Sequence, residues 1–535
     1  FLFFLIFLPC PLLFLKENPD LPGEVSLSVQ LTQGNFLCIM QAEEVNMIKI
    51  DGNNLQLEDV KRVAVEKEKV LLSKQAWRRI KRCANAVDKF LAREDPIYGV
   101  NTGFGKLVRV KISDSQLSEL QKNLILSHSC GVGEFLPSHT VRASMLLRLN
   151  VIAKGHSGVR IDTTQLLLDM LNKDVVPVVP SKGSVGASGD LAPLAHIALV
   201  MIGEGKAIYN GRILSGRTAL KKAGLSPVKL GAKEGLGLIN GTQMMSAVGS
   251  LALLEAENTL RTAELSLALS TEAVDGSSSP FHPLIHKLRG QRGQILSARR
   301  VRSIIGAKKG KRVQDPYSFR CAPQVYGAVI DTLSFVREIL EREVNAATDN
   351  PLIFPEEDLV LSGGNFHGAP VAMAMDFLSI AMTDLSSISE RRIAQLLNPE
   401  ITNLTAFLAE NPGVNSGFMI PQVVAASLVS ENKVLSHPAS CDTIPTSNDQ
   451  EDHTSMGMTS AMKAVNVVKN TARVIAIELL TARQALLMRG KWRKKLNPIM
   501  EELNKLADRS LQDRPLSEDI ERVAEATLNG KLLVL

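Results

Sequence analysis

Apolar positions along this chain follow two regimes. Between residues 54 and 95, Val60, Val63, Val70, Leu71 and Ile80 are interspersed with charge, which predicts a helical stretch. Glu94-Asp95-Pro96 ends it, because the residue before a proline avoids the helical region. Tyr98-Gly99-Val100-Asn101-Thr102-Gly103-Phe104-Gly105 then reads as a Gly-rich loop. Helical periodicity returns near Ser115-Gln116-Leu117 and from His139 to Ala153, and Val175 to Pro180 reads as a short extended piece. Beyond Asn240 the texture changes. Thr242–Thr271, Gln324–Val344, Ala369–Leu397, Ser416–Leu435 and Ser455–Met488 are long, rich in Ala and Leu, and mostly free of proline. Such segments span roughly 30–50 Å at about 1.5 Å per residue and predict a multi-helix bundle. Glu, Asp and Arg interrupt them too often for membrane spans.

Composition supports this picture. A chain of 535 residues can bury a large core. With only 4% aromatic residues, that core suits packed helices better than a β-sandwich. The formal charge of +6 is small for the length and gives no argument for nucleic acid or a membrane surface as partner. Cys10, Cys38, Cys83, Cys130, Cys321 and Cys441 form no C-x-x-C pair, which reads as free thiols in a reducing cytosol.

The first residues differ from the rest. Phe1 to Leu15 is almost wholly apolar, lacks the basic start of a signal peptide, and is broken by Pro9 and Pro11. At Met47-Ile48-Lys49-Ile50-Asp51-Gly52 the pattern becomes that of a soluble protein. We therefore expect residues 1–46 to be upstream sequence, with Met47 or Met40 as the start and a hydrophobic anchor as the alternative. An N-terminal domain over 47–240 and a long-helix bundle over 241–535 would follow. Walker A, H-E-x-x-H, EF-hand and repeat patterns are absent from the sequence.

The most informative run is Gly183-Ser184-Val185-Gly186-Ala187-Ser188-Gly189-Asp190-Leu191-Ala192-Pro193-Leu194-Ala195-His196. Ala187-Ser188-Gly189, held in a tight bend, can cyclise on itself. The Gly189 nitrogen attacks the Ala187 carbonyl carbon and two waters leave, one carrying the Ser188 hydroxyl. The product is a methylidene-imidazolone, an electrophile made from the chain. Glycine suits the attacking position because it has no Cβ to block close approach. This run resembles the prosthetic-group loop of the aromatic amino acid ammonia-lyases, and further blocks resemble the branch of that family that acts on histidine.

The resemblance implies an all-α, fumarase/aspartase-like long-helix bundle whose N-terminal domain carries the loop. It implies loss of ammonia from L-histidine to give trans-urocanate. The prosthetic group is 4-methylidene-imidazol-5-one (MIO), formed from Ala187, Ser188 and Gly189, with no external cofactor and no metal. Tyr98 matches the tyrosine placed as β-proton base; alone, it would equally serve to pack a Gly-rich turn. In Asn123-Leu124-Ile125-Leu126-Ser127-His128, the Ser-His pair marks a histidine substrate, and His128 can hydrogen-bond an imidazole. Asn240 matches an asparagine that contacts the prosthetic group and substrate amine, with an N-cap before Thr242 as its structural alternative.

In Gln314-Asp315-Pro316-Tyr317-Ser318-Phe319-Arg320, Arg320 has the fork geometry to clamp a carboxylate. Tyr317 matches a second active-site tyrosine, and Gln314 a polar wall. The basic run upstream, Arg299 to Arg312, reads as solvated surface, with an anion-attracting loop as the alternative. Phe366 matches the phenylalanine beside the prosthetic group. Glu451 matches the acid that pairs with the substrate imidazole, although Asn448 and Asp449 depart from the commoner residues before it. The resemblance also implies a homotetramer whose sites each draw on several chains. A tyrosine or phenylalanine lyase or aminomutase, and a catalytically silent oligomer, are the competing readings.

Overall fold

Alanine- and leucine-rich sequence does build the expected bundle. The computed structural model describes residues 47–93, 97–102 and 112–534. The readings placed on 1–46, on Glu94–Pro96 and on Gly103–Gly105 lie outside these residues. The long helices run over Gln243–Ala273, Ala322–Glu343, Ala369–Leu396, Met419–Leu435 and Gly457–Arg489, within a few residues of the sequence expectation. Met419 begins later than expected because the Asp513 carboxylate accepts the Ser416 and Gly417 N–H groups at 2.7 and 2.9 Å, which holds the preceding residues in an irregular turn. All five belong to one compact unit, Ile48–Leu535.

Gly457–Arg489 is the axis of the bundle, packed along both Ala369–Leu396 and Gln243–Ala273. Its Val467, Val468, Ile475, Ile477 and Leu479 are fully buried. Each such side chain contributes roughly 1.5–3 kcal/mol of transfer free energy. An acid, Glu478, is buried in the same helix and is tolerated because it is fully paired. Arg392 donates to both its oxygens at 2.7 Å, and Ser270 Oγ donates at 2.7 Å. Helix Arg292–Ile305 crosses Ala322–Glu343 at a point where two glycines meet. A Cβ on Gly327 would lie 2.3 Å from the Gln294 nitrogen, so only glycine permits this approach.

Two expectations need correction. The stretch 54–95 is not one helical run but two helices, Leu57–Ala64 and Lys74–Leu91, with a strand Val70–Leu72 between them. That strand pairs in parallel with Ile48–Ile50, and Lys67 turns the chain with φ 60°. The second concerns only the reason given against membrane spans, because Ala369–Leu396 is long and apolar enough by composition to cross a membrane. Two-thirds of its apolar window is instead buried inside the fold, and its Arg392 is spent on Glu478.

The basic run is largely occupied. Lys308 pairs with Glu272, Lys311 with Asp275, and Arg312 with Asp315. These contacts pin the loop before Tyr317 to the C-terminal end of Gln243–Ala273. Short sheets complete the N-terminal half. Val132–Phe135 pairs antiparallel with Pro180–Lys182, which delivers the chain directly into the Gly183–Asp190 loop.

Candidate active site

The Gly183–Asp190 loop is clamped at both ends. Val185 accepts the Met456 N–H at 2.9 Å, and a Cβ on Gly186 would meet Ser455 Oγ at 2.0 Å. At the other end the Asp190 carboxylate accepts the Met244 and Met245 N–H groups at 2.7 and 3.1 Å, in the first turn of Gln243–Ala273. An acid is well placed there, because a helix N-terminus presents unpaired donors and partial positive charge. Burial nonetheless pushes the Asp190 carboxyl up to about 7, against the pull of Met245, Met244 and Arg148. Sequence alone gives Asp190 no role, because its partners lie more than fifty residues away.

Between the clamps the backbone bends sharply. Ser188 and Gly189 have φ 54° and 77°, and Leu191 has φ 44°. Gly189 lies against Gly241, where a Cβ would come within 2.2 Å of the Gly241 carbonyl oxygen. That oxygen accepts the Asp190 nitrogen at 2.8 Å, which leaves the Gly189 nitrogen out of this hydrogen bond. The alternative role of Asn240 as N-cap is not realised; Thr242 holds that position. Asn240 instead follows the short helix Glu234–Ile239, and its Nδ2 donates to the Ser188 carbonyl at 2.7 Å. Its backbone carbonyl is held at 2.8 Å by the fully buried Arg148, which also donates to Gly237 O at 3.1 Å.

The bend faces a cavity of about 1030 Å³. Of the residues singled out from sequence, Tyr98, His128, Ala187, Ser188, Asn240, Phe366 and Glu451 line it. Glu451 Oε1 accepts from Ser188 Oγ at 3.4 Å, and its Oε2 is buried without a partner. Glu451 stands on a tight loop closed by the Thr446 N–H to Glu451 carbonyl bond at 2.9 Å. Ser447, Asn448 and Asp449 within it have φ 53°, 59° and 60°. Asn and Asp tolerate that conformation better than most residues, which accounts for their presence. His367 and His453 also line the cavity, with rings stacked at 5.8 Å and His367 Nε2 donating to His453 O at 3.2 Å. Neither histidine is singled out by the sequence, although each stands within two residues of one that is, Phe366 or Glu451.

Gln314, Tyr317 and Arg320 are not brought to this cavity within the chain. Tyr317 is 72% exposed, and Arg320 lies over its ring at 4.2 Å. Their short helix, Tyr317–Arg320, is held by Arg392 donating to the Ser318 carbonyl at 3.2 Å. Phe366 precedes the start of the Ala369–Leu396 helix, and Arg392 lies near its other end, about 35 Å further along at about 1.5 Å per residue. One chain thus carries the two groups of residues at opposite ends of a rod.

The residues present fit the MIO group. The bend presents Ser188 to the cavity, a glycine is required at 189 by Gly241, and the Ser188 carbonyl has a fixed donor in Asn240. Among the described residues no group of three or more His, Cys, Asp or Glu converges as a metal site.

Comparison with known proteins agrees with this geometry. The family model for aromatic amino acid lyase matches residues 55–508. A histidine ammonia-lyase from Treponema denticola is 51% identical over 496 residues, covering 91% of this chain and 98% of that relative. The crystal structure of histidine ammonia-lyase from Trypanosoma cruzi superposes with TM-score 0.85 at 43% identity, covering 91% of this chain and 94% of that one. A tyrosine aminomutase from Streptomyces globisporus superposes with TM-score 0.86 at 37% identity, covering 91% and 98%. Sequence, fold and cavity converge on one assignment: the chain belongs to the aromatic amino acid lyase family.

Proposed function

We propose that this chain is an ammonia-lyase that converts L-histidine to trans-urocanate and ammonia. The observation that carries the reading is the Ser188 bend, gripped by Asn240 and Glu451 at the wall of one cavity. Closure of the Gly189 nitrogen on the Ala187 carbonyl carbon, with loss of two waters, gives MIO from the chain itself. Once formed, that group supplies an electrophilic carbon that turns the substrate amine into a better leaving group. The chain's other residues do the rest. Tyr98 takes the β-proton. His128 and Glu451 hold the imidazole, and a phenyl ring would leave the Glu451 carboxylate buried and unpaired. Asn240 fixes the bend and faces the amine, and Phe366 packs beside it.

Arg320 clamps the substrate carboxylate, with Tyr317 and Gln314 beside it. Because these three lie at the far end of the rod, we assign them to the site of another protomer in a homotetramer. Exposed Met373, Phe377 and Ile380 on Ala369–Leu396, with Phe335 nearby, form an apolar face that such assembly would cover. The described cysteines are free thiols, which suits a cytoplasmic setting.

The test is near-ultraviolet absorbance of the purified protein with L-histidine, L-tyrosine and L-phenylalanine in parallel. A urocanate band with histidine alone supports the reading. Product from tyrosine or phenylalanine alone would keep the electrophile and overturn the roles of His128 and Glu451.

A further inference from the structure

His128 Nδ1 lies 3.1 Å from Ser127 Oγ, and Ser127 Oγ lies 3.1 Å from the Leu124 carbonyl oxygen. A carbonyl only accepts, so the single hydroxyl proton of Ser127 is committed to Leu124. His128 Nδ1 must then donate to the Ser127 oxygen. Burial lowers the affinity of the ring for a second proton, against a smaller opposing pull from the Leu124 backbone. His128 is therefore neutral with its proton on Nδ1, and its Nε2 carries a lone pair.

The other ring-reading group is also an acceptor. In the uncyclised chain Glu451 Oε1 accepts from Ser188 Oγ, a donor that is lost when the hydroxyl leaves, and the buried Oε2 has no donor at all. The titratable residues facing the cavity are Tyr98, His128, His367, Glu451, Asp452 and His453. Two of these are carboxylates, and the described lining includes neither Lys nor Arg. Against this described lining, and with the assigned Arg320 spent on the substrate carboxylate, a cationic ring meets favourable charge.

We propose that Ser127 is a positioning residue that fixes the His128 tautomer. His128 Nε2 and Glu451 Oε2 then meet the substrate ring as two acceptors, and select a ring with an N–H at both nitrogens, the imidazolium cation. This rests on the assignment of the cavity to a histidine substrate. The cation has a chemical use. Breaking the Cβ–H bond passes the proton to the Tyr98 oxygen and leaves an electron pair on Cβ. In an imidazolium that pair delocalises into the ring and cancels its charge, both N–H bonds remaining intact. A neutral ring would have to carry the negative charge itself.

The experiment measures competition against L-histidine by two ligands on the assembled holoenzyme at pH 7. One is 3-(imidazol-4-yl)propanoate. The other is its 2-fluoroimidazole analogue, nearly the same size but with a ring several units less basic, hence neutral. The expected result is binding of the fluorinated ligand at least about 100-fold weaker, at tenfold for each unit of lost basicity. In Ser127→Ala that gap should narrow at least about tenfold, because His128 is then free to take the other tautomer. Ser127 is exposed, so this variant is expected to fold. Equal binding of the two ligands to the wild type, or an unchanged gap in Ser127→Ala, overturns the proposal. Failure of the parent ligand to compete, with 3-phenylpropanoate competing instead, overturns the histidine assignment as well.

Discussion

Asn240 Nδ2 donates to the Ser188 carbonyl oxygen across 2.7 Å, so a side chain at the end of one short helix fixes the centre of the reactive bend. Asn240→Ala removes that donor and leaves a partly buried carbonyl unpaired, at a cost of about 1–3 kcal/mol. The variant should melt at lower temperature and show a larger fraction of uncyclised chain by intact mass. A fully cyclised population would remove Asn240 from the positioning of the bend.

Ser188→Ala deletes the hydroxyl that must leave. The expected protein retains both waters by intact mass, keeps its assembly state, and deaminates nothing above background. Near-normal turnover would refute the assignment of the electrophile.

Asp190 gives a pH signature. Its folded carboxyl sits at about 7, above its ordinary 3.8, so between those values the folded state binds the extra proton. Stability from this group therefore falls as pH rises from about 4 to 7 and is flat above. Asp190→Asn cannot titrate. Relative to that variant, the wild type should lose on the order of a few kcal/mol across this window, read as a changing difference in midpoint of denaturation. A constant difference would show that Asp190 is ionised throughout.

Arg320 and Ser188 together test the proposed sharing of the site between protomers. Arg320→Ala and Ser188→Ala should each be inactive alone. Co-expressed, they should regain a minority of wild-type activity, because some mixed assemblies place an intact Arg320 against an intact Ser188. Complete inactivity of mixtures shown by mass to be mixed would mean that each chain builds its own site.

Glu451→Gln keeps the shape and removes the charge. The preference for histidine over phenylalanine should fall by at least about tenfold, as expected for a loss of roughly 1.4 kcal/mol or more in transition-state discrimination. An unchanged preference would remove Glu451 from ring recognition.

The bundle was legible because long Ala/Leu runs with little proline have few alternatives to helix, and the family was legible in the extended run from Gly183 to His196 around Ala187-Ser188-Gly189. The strand Val70–Leu72 was not legible. Glu66-Lys67-Glu68-Lys69 continues a helical charge pattern, and only pairing with Ile48–Ile50 overrides it. The function of Asp190 depends on N–H groups brought from Met244 and Met245, and that of Ser127 on a carbonyl and a ring nitrogen of its own helix turn. Neither leaves a mark in composition or spacing. Asn240 could be matched to a residue at the prosthetic loop only through its family motif, because the Ser188 carbonyl that its side chain meets is distant in sequence.

The Ala369–Leu396 rod has a consequence for behaviour at low concentration. Its length, about 35 Å from Ala369 to Arg392, stands between the cavity end and the Arg320 end of the same chain. A lone protomer, however well folded, would hold an electrophile with no clamp and a clamp with no electrophile. On this reading catalysis is a property of the protein's concentration. Diluted below the point where assemblies separate, the solution should fall silent while its helices stay intact, and speak again when concentrated.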